Sequence, residues 1–215
     1  MSQSKAKSNI TYRKIGRKDK KVICGFIDRA YSSGWEHENE KSAKRLAHLY
    51  FRSLMLMGRY RMVAVHRDQI VGVIFAGNRN QKNIMPITAL KKQVILLKLR
   101  LSKEGRANIR NLKQKLNMQK ELIQEVGTAS GREIFMLYVK DGFDVKNSTG
   151  EKLMELVLAE DTDKASGDLQ VLVEQKREVA YFEQCGFSKV AEKAEMMEIN
   201  RQRFRGKMFL LSKHR

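Results

Sequence analysis

The sequence predicts an α/β domain built around a mixed sheet. Segments with a two-residue apolar alternation interleave along the chain with segments of 3.6-residue apolar period, and turn or capping residues bound both kinds. Size agrees: 215 residues, 42% hydrophobic and 31% charged, suffice for one sizeable core and leave little for a second.

Residues 1–9 read as a flexible polar tail, and 10–215 as a single domain. "ITYRKI" alternates as a half-buried strand does, and "KDKKVICGFIDRAYSS" sets Val22, Ile23, Phe26, Ile27 and Ala30 on one helical face. "EHENEKSAKRLAHLYFRSLMLMG" reads as a second helix, with acids in its first turn, an apolar face from Leu46 to Met57, and Gly58 to end it. "YRMVAVH" and "IVGVIFAG", joined by "RDQ", read as a hairpin. Residues 82–126 change character to two periodic helices, the first opened by Pro86. Then follow a strand "REIFMLYVK", a helix "GEKLMELVLAE", a strand "DLQVLVE" and a helix "QKREVAYFEQCGF" stopped near Gly186. Two strands, "FSKVAEKAEMMEI" and "RGKMFLLSK", close the chain.

Charge narrows the classes of partner. Forty-three Lys and Arg against 24 Asp and Glu leave a net +19, which calls for an anionic partner: nucleic acid, a membrane surface or a phosphorylated cofactor. Cys24 and Cys185 form no CxxC pair and the four histidines are scattered, so neither a disulfide framework nor a metal site is suggested. No apolar run approaches a membrane span and no secretion signal opens the chain, which makes a cytoplasmic setting the default.

The chemistry concentrates in "YVKDGFDVKNSTGEKLM", a strand, a small polar loop and a helix. Unpaired N–H groups at a helix start, aided by its dipole, are suited to phosphate. Asn147, Ser148, Thr149 and Gly150 leave room for close approach, and Lys140, Lys146 and Lys152 add positive charge. A plainer account is open too: Ser148 with Glu151 three residues on makes a capping box. The loop is neither GxxxxGK[ST] nor GxGxxG.

This element order resembles the GNAT superfamily of coenzyme A-dependent N-acyltransferases. Its hallmark is a strand ending like L-x-V, a loop like Q/R-x-x-G-x-G/A and a helix, matched here by Leu137, Val139, "VKNSTG" and the helix after Gly150. A second family feature, a helix ending like F-Y-x-x-x-G-F, is similar to "YFEQCGF" with Gly186 and Phe187 in the closing positions. Three departures stand out: Val145 opens the loop where the family has Gln or Arg, Ser148 falls where its first glycine does, and the segment is one residue longer. The resemblance implies a mostly antiparallel central sheet flanked by helices, with 82–126 inserted between the third and fourth strands.

It also implies acetyl transfer from acetyl-CoA to a primary amine, small-molecule or peptide, by direct attack in a ternary complex and without a metal. The cofactor contacts would be Leu137, Val139, Lys146, Asn147, Ser148, Thr149, Gly150 and Gln175. Glu133 is the candidate base, though a carboxylate at a strand's start is also expected on a solvated edge. Tyr181 is the candidate acid, one position from Phe182, where the family's tyrosine aligns. Trp35, Glu36 and Glu38, in "GWEHENE", are the candidate acceptor site for a cationic amine, or else only first-turn charge.

The basic insertion reads either as a solvated face or as a nucleic-acid strip, yet residues 82–126 hold no aromatic for base stacking. Its stripe of Leu90, Val94, Leu97 and Leu101 is expected to dock on the domain or pair with another subunit as a homodimer. The alternative function is a non-catalytic GNAT-like module that binds nucleic acid or ribosomes through its basic surface.

Overall fold

In the computed structural model, which describes residues 10–31, 40–78, 85–127, 132–143, 148–160, 168–199 and 202–213, the elements follow the predicted order. Strand β1 (Ile10–Lys14) leads through a 3₁₀ turn, Arg17–Asp19, into α1 (Lys20–Tyr31). Then come α2 (Glu40–Met57), β2 (Tyr60–His66), β3 (Gln69–Asn78), α3 (Pro86–Arg100), α4 (Lys103–Val126) and β4 (Arg132–Val139). Helix α5 (Thr149–Ala159), β5 (Leu169–Val173), α6 (Lys176–Gln184), β6 (Ser188–Ile199) and β7 (Gln202–Lys213) complete the chain. β7 begins earlier than its alternation suggests because pairing with β6 continues to Ile199 opposite Gln202.

The seven strands lie in the order β1-β2-β3-β4-β5-β7-β6. β4 and β5 run parallel, and every other neighbouring pair is antiparallel. The β2–β3 hairpin turns on Arg67 and Asp68, both at positive φ, as a two-residue turn matching the strand twist requires. Between β3 and β4 the register shifts: Phe75 faces Met136 and Ala76 faces Ile134, which leaves Phe135 as a bulge.

Each sheet face has its own core. On one, α5 and α6 bring Leu153, Met154, Val157 and Phe182 onto Ile74, Ile134, Val171 and Phe209. On the other, α1 and α2 bring Ile23, Ile27, Leu49 and Leu54 onto Val63, Val73 and Phe75. The inserted helices extend this second layer. Leu99 of α3 joins that core, while Met118 and Leu122 of α4 cover Met208 and Leu210 of β7.

α4 is also strapped down by polar contacts. Gln114 donates to the Met196 carbonyl at 2.7 Å, and Lys193 of β6 pairs with Glu121 at 2.7 Å and Glu125 at 3.0 Å. Those two carboxylates push the Lys193 ammonium up to about 12. Ser102 caps α4 by accepting from Gly105 N–H, and Gly127 closes it at φ 69°. A Cβ at Gly105 would lie 2.1 Å from the Leu99 carbonyl oxygen, so the α3–α4 corner admits no side chain there.

Two expected faces are rearranged. Val22 is exposed and Cys24 is buried in its stead, because α1 turns its 23–24–27 edge to the sheet. On α3 the docked face is Thr88, Ile95 and Leu99; the Leu90–Val94–Leu97–Leu101 stripe faces outward and docks on none of the described residues.

The start of α1 is fixed to β1 by Asp19. Its buried carboxylate accepts from Arg13 Nη1 at 2.6 Å, Arg13 Nη2 at 2.8 Å and Gly16 N–H at 2.6 Å. The Arg13 hydrogen bonds hold this carboxyl below its usual range, against the opposing effect of burial. A depressed carboxyl contributes stability above its unfolded pKa and loses it as pH falls through the folded value. Asp19→Asn is therefore expected to cost about 1–3 kcal/mol in urea unfolding at neutral pH. The gap between variant and parent should close as pH drops below about 4.

Candidate active site

The parallel pair β4–β5 is short. Its register covers only Arg132 opposite Leu169, Glu133 opposite Gln170, and Ile134 opposite Val171. Beyond that point β4 runs on to Val139 along β3 and β5 runs on to Val173 along β7, so the two strands part into a wedge. The β4 edge of this wedge presents backbone donors. Lys140 N–H donates to the Val71 carbonyl at 2.7 Å, which by antiparallel alternation turns Tyr138 and Met136 N–H toward β3. The N–H groups of Leu137 and Val139 point the other way, into the wedge.

Both helices that leave the parallel strands start at the wedge's open end. α5 follows β4, and Lys152 N–H makes its first helical bond, to the Ser148 carbonyl at 2.9 Å. Ahead of that bond, the first-turn N–H groups have no acceptor within the helix. Thr149 is fully buried and donates through Oγ1 to the Phe143 carbonyl at 2.9 Å. Gly72 of β3 makes room beneath: a Cβ there would lie 3.3 Å from Leu153 and 3.4 Å from Thr149.

Ser148 itself is the surprise. It sits at the N-cap in the left-handed region, φ 46° and ψ 39°, with no side-chain capping bond. The expected Ser148–Glu151 capping box is therefore absent, since that box needs an extended N-cap backbone to bring the hydroxyl over the third helical N–H. A left-handed residue is what glycine supplies at no steric cost. The position where the resembled motif has its first glycine thus keeps glycine's backbone with a serine side chain. Lys152 is spent on Glu155 at 2.8 Å, and Lys140 is exposed. Val145, Lys146 and Asn147 lie outside the described residues, as do Trp35, Glu36, His37 and Glu38.

Across the wedge, Gln175 is the N-cap of α6, where the Glu178 carboxylate accepts from its N–H at 3.0 Å. Gly186 ends the turn after this helix at φ 85°. Phe182 is buried edge-to-face against Phe187, ring centroids 5.2 Å apart. Tyr181, half-buried, lies edge-to-face on Phe182 at 5.4 Å and packs on the same core as Leu137.

Glu133 is buried, only 7% exposed, on an interior strand. The solvated edge expected for it is thus overturned by the strand order, because β3 and β5 flank β4 on both sides. Ile134 and the Leu169–Val171 pair face the α5–α6 core, so alternation sets Glu133 and Gln170 side by side on the opposite face. Glu133 therefore stands at the closed end of the wedge on the layer of α1–α4.

One group at this place escapes sequence reasoning. Glu174, at the end of β5, accepts from Lys115 of α4 at 2.6 Å, and the Lys115 side chain is only 13% exposed. Close by, Tyr31 stacks on Tyr50 with centroids 5.1 Å apart. Burial raises the Tyr31 phenol first, and Tyr50, Glu174 and Glu178 raise it further. The inserted helix thus reaches the rim of the wedge. No local pattern links Lys115 to a residue 59 positions away, so only the fold brings them together. Among the described residues, no cluster of three His, Cys, Asp or Glu side chains is placed to hold a metal, and no helix is long and apolar enough to cross a membrane.

No family model matches the sequence, and no curated protein matches it significantly. Solved structures do match its fold. An agmatine N-acetyltransferase in apo form aligns at TM-score 0.56 with 14% identity, over 95% of this chain and 99% of its own. The polyamine N-acetyltransferase of Drosophila melanogaster aligns at TM-score 0.55 with 14% identity, over 95% of this chain and 100% of its own. The protein yncA of Salmonella typhimurium, with its cofactor acetyl-CoA, aligns at TM-score 0.51 with 12% identity, over 96% and 94%. The fold is thus the one these acetyltransferase structures share, the GNAT fold.

The left-handed Ser148 makes a direct test of the loop. Ser148→Gly is expected to keep or raise stability, by up to about 1 kcal/mol, as the Cβ penalty is relieved. Ser148→Val should lower it, since a β-branched residue tolerates positive φ poorly. Paired urea midpoints decide between this geometry and an ordinary extended cap, which would reverse the glycine result.

Proposed function

We propose that the protein is an N-acetyltransferase that moves an acetyl group from acetyl-CoA to a primary amine by direct attack in a ternary complex. The observation that carries this reading is the wedge, whose Leu137 and Val139 N–H edge and adjacent α5 start suit an extended ligand that ends in phosphates. Acetyl-CoA supplies an activated thioester. In this reading the pyrophosphate is held by backbone N–H groups of residues 146–150, and Gln175 hydrogen-bonds the pantetheine arm. Leu137 and Val139 N–H polarise the acetyl carbonyl.

Glu133 serves as general base, drawing the amine proton off through water, since it lies at the closed end of the wedge and away from its mouth. Tyr181 is the candidate acid for the departing thiolate, its ring edge-to-face on Phe182. Acceptor binding falls to Trp35, Glu36 and Glu38, whose carboxylates favour a cationic amine. The acceptors for which two fold neighbours are named, agmatine and polyamine, belong to that class and set the first assay panel.

Acetyl-CoA at about 100 times its Kd is expected to stabilise the protein by about 2.7 kcal/mol in thermal unfolding. No shift with any acyl-CoA, together with a strongly salt-dependent shift with RNA, would replace this reading with a non-catalytic basic module. If the enzyme reading holds, Glu133→Gln should lower kcat about 100- to 10,000-fold while the acetyl-CoA shift persists. The acidic limb of the kcat/KM pH profile should go with it; an unchanged profile would free Glu133 from that role.

A further inference from the structure

Helix α3 has two apolar faces, and only one is used. Thr88, Ile95 and Leu99 face the α2 layer. Ile87, Leu90, Val94, Leu97 and Leu101, the last at the C-cap, point away and are 44–77% exposed. Among the described residues nothing covers them. Their spacing alternates three and four residues, the 3.5-residue period of a coiled-coil seam. At 100° per residue all five fall within about 80° of arc.

Charge and width select the occupant. Lys91 and Lys98 flank the stripe on one side, and Gln93 and Arg100 on the other; α3 holds no acidic residue at all. A second copy laid on this seam brings only Lys, Arg and Gln to its flanks and no acid to meet these cations, where such seams pair through opposite charges. An anionic membrane would satisfy the cations, but a helix lying in the interface buries a broad apolar face, and this one is a narrow ridge. We propose that the exposed seam of α3 docks an amphipathic helix of a partner protein, with aliphatic residues at its a and d positions and Glu or Asp at the flanking e and g positions. Bound there, α3 is sandwiched between α2 and the partner helix, and both its faces are buried.

The probe is a synthetic peptide of about four heptads with Leu at a and d and Glu at e and g, whose mutual repulsion discourages self-pairing. Titrated into the full chain by calorimetry, it should form a 1:1 complex that weakens as salt is raised. The same peptide with Lys at e and g should bind about tenfold more weakly or worse. Leu97→Glu, on an exposed position, should cut affinity for the acidic peptide by a similar factor. Leu90→Glu serves as an independent repeat, and unchanged circular dichroism and thermal midpoint certify the fold of both. The proposal is overturned if the acidic peptide does not bind, if both peptides bind equally, or if Leu97→Glu has no effect. It is equally overturned by sedimentation with phosphatidylserine vesicles that Leu97→Glu abolishes, or by a dimer of the free protein that the same change dissolves.

Discussion

Two parallel strands that pair for three residues and then separate organise this protein. Had β4 and β5 stayed in register, the Leu137 and Val139 N–H groups would be consumed by a neighbour. Their parting opens an interior edge, a rare feature in a sheet whose other strands stay paired. It also sets both following helices, α5 and α6, with their N-termini at one mouth. Backbone donors from a strand and from the start of α5 thereby face one opening, with the buried Glu133 at its closed end.

The cost of that opening is met by the flanks. The Phe135 bulge sits one residue past the last paired position, where β4 must bend away from β5 while keeping its ladder to β3. β5 is held from its other side by β7 along all five residues. α4 closes the second face, with Met118 and Leu122 in the core and Lys115 on Glu174 at the rim. The insertion is thus part of the scaffold around the wedge, and several of its charges, Lys115, Glu121 and Glu125, are committed within the chain. What it leaves to solvent is the basic, leucine-rich ridge of α3.

Most elements were legible from periodicity and punctuation, because those signals are local. Pro86 opening α3, Gly58 after α2, the short turn at Arg67–Asp68 and Gly186 beyond α6 all act where they stand in the chain. The misreadings share another origin. Whether Glu133 lies on an edge depends on strand order, which links residues far apart. Whether Ser148 caps depends on its left-handed backbone, next to a Thr149 tied to the Phe143 carbonyl, and not on the serine's local preference. The two apolar faces of α3 are indistinguishable by period, and only the position of α2 decides which is docked. The L-x-V strand end and the polar loop were readable as a motif, whereas the approach of Lys115 to Glu174 was not, being a contact between elements.

The core that α4 shares with β7 has a temporal side. Met118 and Leu122 find their partners, Met208 and Leu210, in the last strand of the chain. During synthesis the apolar face of α4 is therefore made roughly 90 residues before its cover, an interval of about 5–20 s at ordinary elongation rates. Strands β1 to β4 all precede β7 in the chain, so their sequence is complete within that time. The helix that frames the wedge is made midway along the chain and covered by its last strand, so the interval before β7 emerges is when aggregation competes most directly with folding.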